Sequence, residues 1–167
     1  DTDIFRYEEK KPPTAGFKFL TVGNLIPRKR MDLLIQAFSS AFGKFDNVTL
    51  SIIGEGQERR ALEGLVKKLD LADRVIFFGL QARSFIADSL RNCNCFVLAS
   101  SAETFGVVFA EALATGTPVI ATKCRGPENF LNSENSLILP VDDVGMLAAA
   151  MISMVRNLAS FNSKKIS

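Results

Sequence analysis

Two carboxylates and one basic run are the residues of this chain best suited to act on a polar ligand. Glu103 and Glu111 stand eight positions apart in Ser100-Ser101-Ala102-Glu103-Thr104-Phe105-Gly106-Val107-Val108-Phe109-Ala110-Glu111. Glu111 lies in VVFAEALATG, apolar nearly all round, and a carboxylate buried there without a partner is costly. The vicinal hydroxyls of a ribose can partner it; so can a lysine or arginine, or the helix can turn that edge to solvent. Glu103 precedes the helix, where backbone N–H groups point outward. It can accept hydrogen bonds from a sugar while the N–H groups following Thr104, through Phe105, Gly106 and Val107, meet hydroxyls or phosphate. The alternative is a carboxylate that only complements the helix dipole. A loop followed by a helix is what lets both carboxylates reach one ligand.

The basic run is Gly23-Asn24-Leu25-Ile26-Pro27-Arg28-Lys29-Arg30, between a strand-like segment and a helix. A glycine there lets the backbone turn tightly, the helix start offers unpaired N–H groups, and the cations lie beside both. That combination suits a diphosphate; a solvated basic loop has the same composition. Gly54-Glu55-Gly56 follows the second strand and either cradles phosphate or makes a turn. It lacks the lysine of a P-loop and the spacing of a dinucleotide fingerprint.

Composition excludes several chemistries. The chain has no histidine, which removes the commonest general base, the histidine-dependent serine triad and the usual zinc sites. No cofactor and no metal are expected. A formal net charge of +2 is too small for an extended nucleic-acid surface, so no nucleic-acid partner is expected. Cys93, Cys95 and Cys124 read as buried thiols, and an odd count suits a reducing, cytoplasmic compartment. No run approaches the ~18 apolar residues of a membrane-spanning helix, so the piece is expected to be soluble.

The elements that must position these residues alternate regularly. At 167 residues, 47% apolar, the chain fits one domain with a sizeable core. Residues 1–16, DTDIFRYEEKKPPTAG, are polar, carry Pro12-Pro13 and read as a linker; the domain proper is 17–167. Strands are expected at 17–23, 48–53, 75–78, 95–99, 118–122 and 137–139. Helices are expected at 31–42, 58–69, 84–91, 105–115 and 145–158. Six continuous rather than alternating apolar strands, nearly all followed by a helix, predict a parallel sheet covered on both faces. Ligands of such sheets sit beyond the carboxyl ends of the strands.

These segments resemble glycosyl transferases group 1, a large family of retaining enzymes (family four) with the two-domain GT-B architecture. The resemblance runs from about 17 to 143 and is carried by VGNLIPRKRMDLLIQAF, LSIIGEGQERRAL, DRVIFFGL, CFVLASSAETFGVVFAEALATGTPVIAT and GPENFLNSENSLILPVDD. The E-x7-E pattern in a TFGVVFAE context is its most specific mark. It implies a Rossmann-like α/β/α domain, the C-terminal half of a GT-B fold, truncated at its own C-terminus and separated from an N-terminal acceptor domain. It further implies that Lys29 contacts the donor diphosphate, that Glu111 binds the ribose hydroxyls, and that Glu103 with Thr104, Phe105, Gly106 and Val107 holds the sugar and nearby phosphate. Glu103 and Lys29 are then the catalytic pair, Gly23, Asn24 and Arg28 line the phosphate side, and the stretch 79–83, with Leu80 and Arg83, lies near the nucleobase. The family often has arginine where this chain has Asn24, so Arg28 or Arg30 must supply the second cation.

The implied reaction moves a hexosyl group from a nucleoside diphosphate sugar to a glycan or glycolipid acceptor with retention, at the cytoplasmic face of a membrane in the full-length protein. The fragment alone is expected to bind donor weakly and transfer nothing. Competing readings are a nucleotide-sugar-binding module without catalysis, a sugar-nucleotide epimerase or phosphorylase on the same architecture, and a receiver domain. The last needs a phosphoacceptor aspartate at a strand end, where this chain has Gly23, Gly54, Gly79 and Ala99.

Overall fold

The expected strands are continuous apolar runs, and the computed structural model buries the central ones on both faces, while the edge strand at 75–79 leaves Ile76 and Phe78 exposed. It describes residues 4–8, 16–43, 47–161 and 163–166. The strands are β1 (Phe17–Val22), β2 (Val48–Ile53), β3 (Val75–Gly79), β4 (Cys95–Leu98), β5 (Val119–Thr122) and β6 (Ser136–Leu139). Every residue of β4 and β5 is buried, as strands covered on both faces require. All pairings are parallel, in the order β3-β2-β1-β4-β5-β6, with β1 and β2 in register from Phe17 opposite Val48 to Val22 opposite Ile53.

The helices are α1 (Met31–Ala41), α2 (Arg59–Lys68), α3 (Arg83–Asn92), α4 (Val107–Ala114), α5 (Val144–Asn157) and a short α6 (Ser163–Ile166). Helix α1 packs against α2 and α5, while α3 packs against α4. This division is what right-handed crossovers produce when the chain runs first to one side of β1 and then to the other. The core is built from fully buried Phe19, Leu34, Phe38, Ile52, Phe96 and Phe109. Phe96 and Phe109 meet edge to face at 5.7 Å and lock α4 onto β4. Among the described residues, no helix is long and apolar enough to cross a membrane.

The expected elements are all present, with boundaries moved by local backbone chemistry. Helix α4 starts at Val107 rather than 105 because Gly106, at φ 74°, closes the preceding loop in the left-handed region. Most of the 1–16 linker lies outside the described residues; within 4–8, Phe5 is buried in the core at 3% exposure. The three cysteines are buried, as expected.

The Gly54-Glu55-Gly56 segment takes the turn role. A Cβ on Gly54, at φ 142°, would stand 1.9 Å from the Gly23 carbonyl oxygen, and one on Gly56 would stand 2.4 Å from that of Leu25. Leu25 N–H donates to Glu55 O at 2.9 Å and Glu58 N–H to Leu25 O at 3.0 Å, so this turn braces the loop after β1. Gly54→Ala is therefore expected to lower stability by about 3 kcal/mol or more. Gly64→Ala in α2, where an added Cβ meets nothing within 4 Å, should raise it by about 0.5–1 kcal/mol. Urea unfolding of both variants checks the pair: equal effects would mean that the two loops do not meet as described.

Candidate functional site

Because β1 lies between β2 and β4, connections leave its carboxyl end toward one side and that of β4 toward the other. This is the topological switch point, where a crevice opens. The loop after β1 begins at Gly23, against which the Lys29 stem lies; an added Cβ there would make ordinary contact with Lys29 Cε at 3.5 Å. Pro27 opens a short 3₁₀ turn (Pro27–Lys29), with Lys29 N–H donating to Ile26 O at 2.9 Å. That turn aims Lys29 back across the crevice.

The loop after β4 meets it there. Lys29 Nζ lies 2.5 Å from Glu103 Oε1, with side-chain exposures of 13% and 9%. Ser100, fully buried, donates its hydroxyl to the same Glu103 oxygen at 2.5 Å. The surrounding backbone is tied on both sides. Ser101 N–H donates to Arg28 O at 2.9 Å, Glu103 N–H to Cys124 O at 3.0 Å, and the Thr122 hydroxyl to Ser100 O at 2.5 Å. Gly126 completes the seat, since a Cβ there would press on the Glu103 backbone at 3.0 Å. Thr104, Phe105 and Gly106 follow, and Val107 and Val108 open α4 with no side-chain cap. Their N–H groups are the orphan donors of a helix start.

Glu111 lies further along α4, 15% exposed, with Oε1 accepting from Arg83 Nη2 at 2.8 Å. Of the partners open to it in the sequence, the structure shows an arginine. Burial pushes the Glu111 carboxyl above its usual range, and the Arg83 guanidinium offsets this only in part. The structure thus brings Lys29 to Glu103 and Arg83 to Glu111, two cation–carboxylate pairs where the sequence had set each residue toward a ligand.

The remaining candidates divide. Asn24 is exposed and uncharged at the end of β1. Arg30 turns its guanidinium to Asp32 and Asp142, both part-exposed. Arg28 is exposed and, among the described residues, in no ion pair, which favours it as the second cation. Leu80 projects into solvent at 80% exposure beyond β3, beside the Phe78–Phe85 ring pair. Burial, then Glu103 and Glu128, push the Cys124 thiol up, so it stays protonated beside the site. Among the described residues, no three His, Cys, Asp or Glu side chains gather as a metal site.

Sequence reasoning missed Ser100, Thr122 and Gly126 as the seat of Glu103. A hydroxyl ending each of two fully apolar strands was the available signal, since a buried hydroxyl needs a partner. Phe5, next to Ile4 in a mostly polar stretch, was missed as well.

Comparison with known proteins gives the family and the fold. The family model described as glycosyl transferases group 1 matches residues 3–163. An uncharacterized glycosyltransferase of Methanocaldococcus jannaschii is 34% identical over 128 residues, 76% of this chain and 31% of that protein. The lipopolysaccharide core biosynthesis glycosyltransferase LpsE of Rhizobium meliloti is 34% identical over 139 residues, 81% of this chain and 38% of that one. The chain spans about a third of the length of these curated relatives. The C-terminal domain of a group 1 glycosyl transferase, LpcC of Francisella tularensis, superposes with a TM-score of 0.85 at 26% identity, covering 99% of this chain and 93% of that domain. The fold is that of the C-terminal half of the GT-B architecture.

Removing one member of a nearly buried ion pair leaves the other charge without its partner. Lys29→Met and Glu103→Gln are each expected to lower stability by about 3 kcal/mol, while the double variant loses much less than the sum. Urea unfolding of all four proteins reads this cycle; additive losses would mean that the two side chains are energetically independent.

Proposed function

This chain belongs to glycosyl transferases group 1, and we propose from that premise that it is the donor-binding half of a retaining glycosyltransferase. The observation that carries the reading is the nearly buried Lys29–Glu103 pair at the sheet's switch point, just ahead of the uncapped start of α4. A nucleoside diphosphate sugar offers what both partners need. Its diphosphate takes Lys29, Arg28 and the N–H groups of Val107 and Val108, and its sugar hydroxyls donate to the released Glu103 carboxylate. Its ribose hydroxyls donate to Glu111, and the base lies toward Leu80 and Arg83.

Catalysis then rests on charge. As the bond from the anomeric carbon to the phosphate oxygen breaks, negative charge grows on the diphosphate, where Lys29 and the helix N–H groups already point. The acceptor hydroxyl attacks from the same face and passes its proton to the departing phosphate oxygen, which keeps the anomeric configuration without a protein nucleophile. The acceptor is a glycan or glycolipid, a reading supported by the relative that acts in lipopolysaccharide core biosynthesis. It binds the N-terminal domain of the whole protein, which works at the cytoplasmic face of a membrane. Residues 1–16 are the linker from that domain. Alone, the 167-residue chain binds donor nucleotide weakly and transfers nothing.

Calorimetric titration with UDP, GDP and ADP tests this. One nucleotide is expected to bind saturably, and Lys29→Met and Glu111→Gln should each weaken it about ten-fold or more, about 1.4 kcal/mol. Unchanged affinity in both variants would contradict the assignment.

The pH dependence has a definite sign. Glu111 accepts the ribose hydroxyls as a carboxylate, so protonation removes acceptor capacity and weakens binding. Its raised pKa in the folded protein means that affinity falls on acidification while ordinary glutamates are still ionised. Titrations across pH 4–7 should show this step in the parent chain and not in Glu111→Gln, on the order of a glutamate's usual range and above.

A further inference from the structure

Arg83 occupies a place between two parts of the chain that are remote in sequence. Its Nη2 donates to Glu111 Oε1 at 2.8 Å, and its guanidinium carbon lies 5.1 Å from the centroid of the Phe5 ring. Phe5 is 3% exposed and anchored in the core, whereas the Arg83 side chain is 54% exposed. An arginine so exposed has many rotamers, and a fixed aromatic face selects among them by cation–π and planar stacking. Helix α3 holds the same segment at its other end, where Arg91 Nη1 donates to Ile4 O at 2.9 Å. Among the described residues, no donor other than Arg83 reaches the Glu111 carboxylate.

We propose that Arg83, steadied by Phe5, is the positioning residue of the ribose subsite, so that the segment 4–8 sets how the Glu111 carboxylate is presented to the donor. The inference rests on the donor-site reading above and adds to it a physical connection from the N-terminal segment to the nucleotide. Arg83 holds Oε1 and leaves Oε2 for a first ribose hydroxyl. A shift of the 4–8 segment releases the guanidinium, and Glu111 is then left with burial unopposed by a fixed cation. The charged group of the described residues that acts on Glu111 is Arg83 of α3, with no second carboxylate against it.

The test follows the Glu111 side-chain carboxyl by carbon-13 NMR across a pH titration of the 167-residue chain, with no nucleotide present. Arg83→Gln should raise the Glu111 midpoint by about 0.5–1 pH unit, because a partly exposed cation that favours the carboxylate is gone. Phe5→Leu keeps apolar volume in the core and should move the midpoint in the same direction by a smaller amount. Arg83→Lys leaves the Phe5 packing untouched and should fall between the parent and Arg83→Gln, since a lysine retains charge but not the planar stack. UDP, GDP and ADP affinities of the same variants should fall in the same order. A Glu111 midpoint unmoved in Phe5→Leu, with the fold intact by its amide spectrum, overturns the connection; should that variant not fold, an Arg83→Lys midpoint equal to the parent's does so. No nucleotide binding in any variant would instead count against the donor-site reading, because the carboxyl titration needs no ligand.

Discussion

The arrangement depends on one ion pair held almost out of water, Lys29 with Glu103, where the strand connections reverse direction. Taking two charges into a crevice of low polarity is tolerable only if they meet closely and their remaining bonding capacity is used. The strand order β3-β2-β1-β4-β5-β6 makes the meeting possible by placing the loops after β1 and β4 side by side. The 3₁₀ turn at Pro27 aims the lysine, and Ser100 uses further capacity of the Glu103 carboxylate oxygen. Glycines 54 and 126 serve the same end from either side, each admitting a neighbouring loop where a side chain would collide. The crevice is thus built around a charge that the protein itself has neutralised.

Under the proposed donor binding, a doubly charged ligand exchanges this pair. Lysine would gain a phosphate and glutamate hydroxyl donors, so neither charge would be left unpaired as the pair opens. The second pair, Arg83 with Glu111, has a different character. The carboxylate is mostly buried but its cation is more than half exposed, so solvent screens the attraction and burial prevails. Of the two carboxylates, Glu103 is held from several sides and Glu111 from one.

Much of the fold was legible because parallel strands covered on both faces must be continuous apolar runs, and CFVL and PVIAT could be little else. Helix and strand order followed from periodicity, and the strand ends pointed to the crevice. The site was legible as a set of residue types but not as a set of contacts. Lys29 and Glu103 were each set toward a ligand; that they face each other depends on strand order, which local periodicity does not encode. Arg30 looked equivalent to Arg28 until its guanidinium proved to face Asp142, from the far end of the sheet. Phe5 read as linker because its stretch is mostly polar and its packing partner, Arg83, is remote in sequence.

A crystal structure of the chain with its cognate nucleoside diphosphate tests the central claim most directly, because it asks where the Lys29 ammonium goes. The account predicts that Lys29 Nζ leaves Glu103 for a diphosphate oxygen, with the N–H groups of Val107 and Val108 on the same phosphates and Glu103 turned toward the sugar side. A diphosphate bound elsewhere, with Lys29 and Glu103 still paired as they are in the free protein, would contradict it.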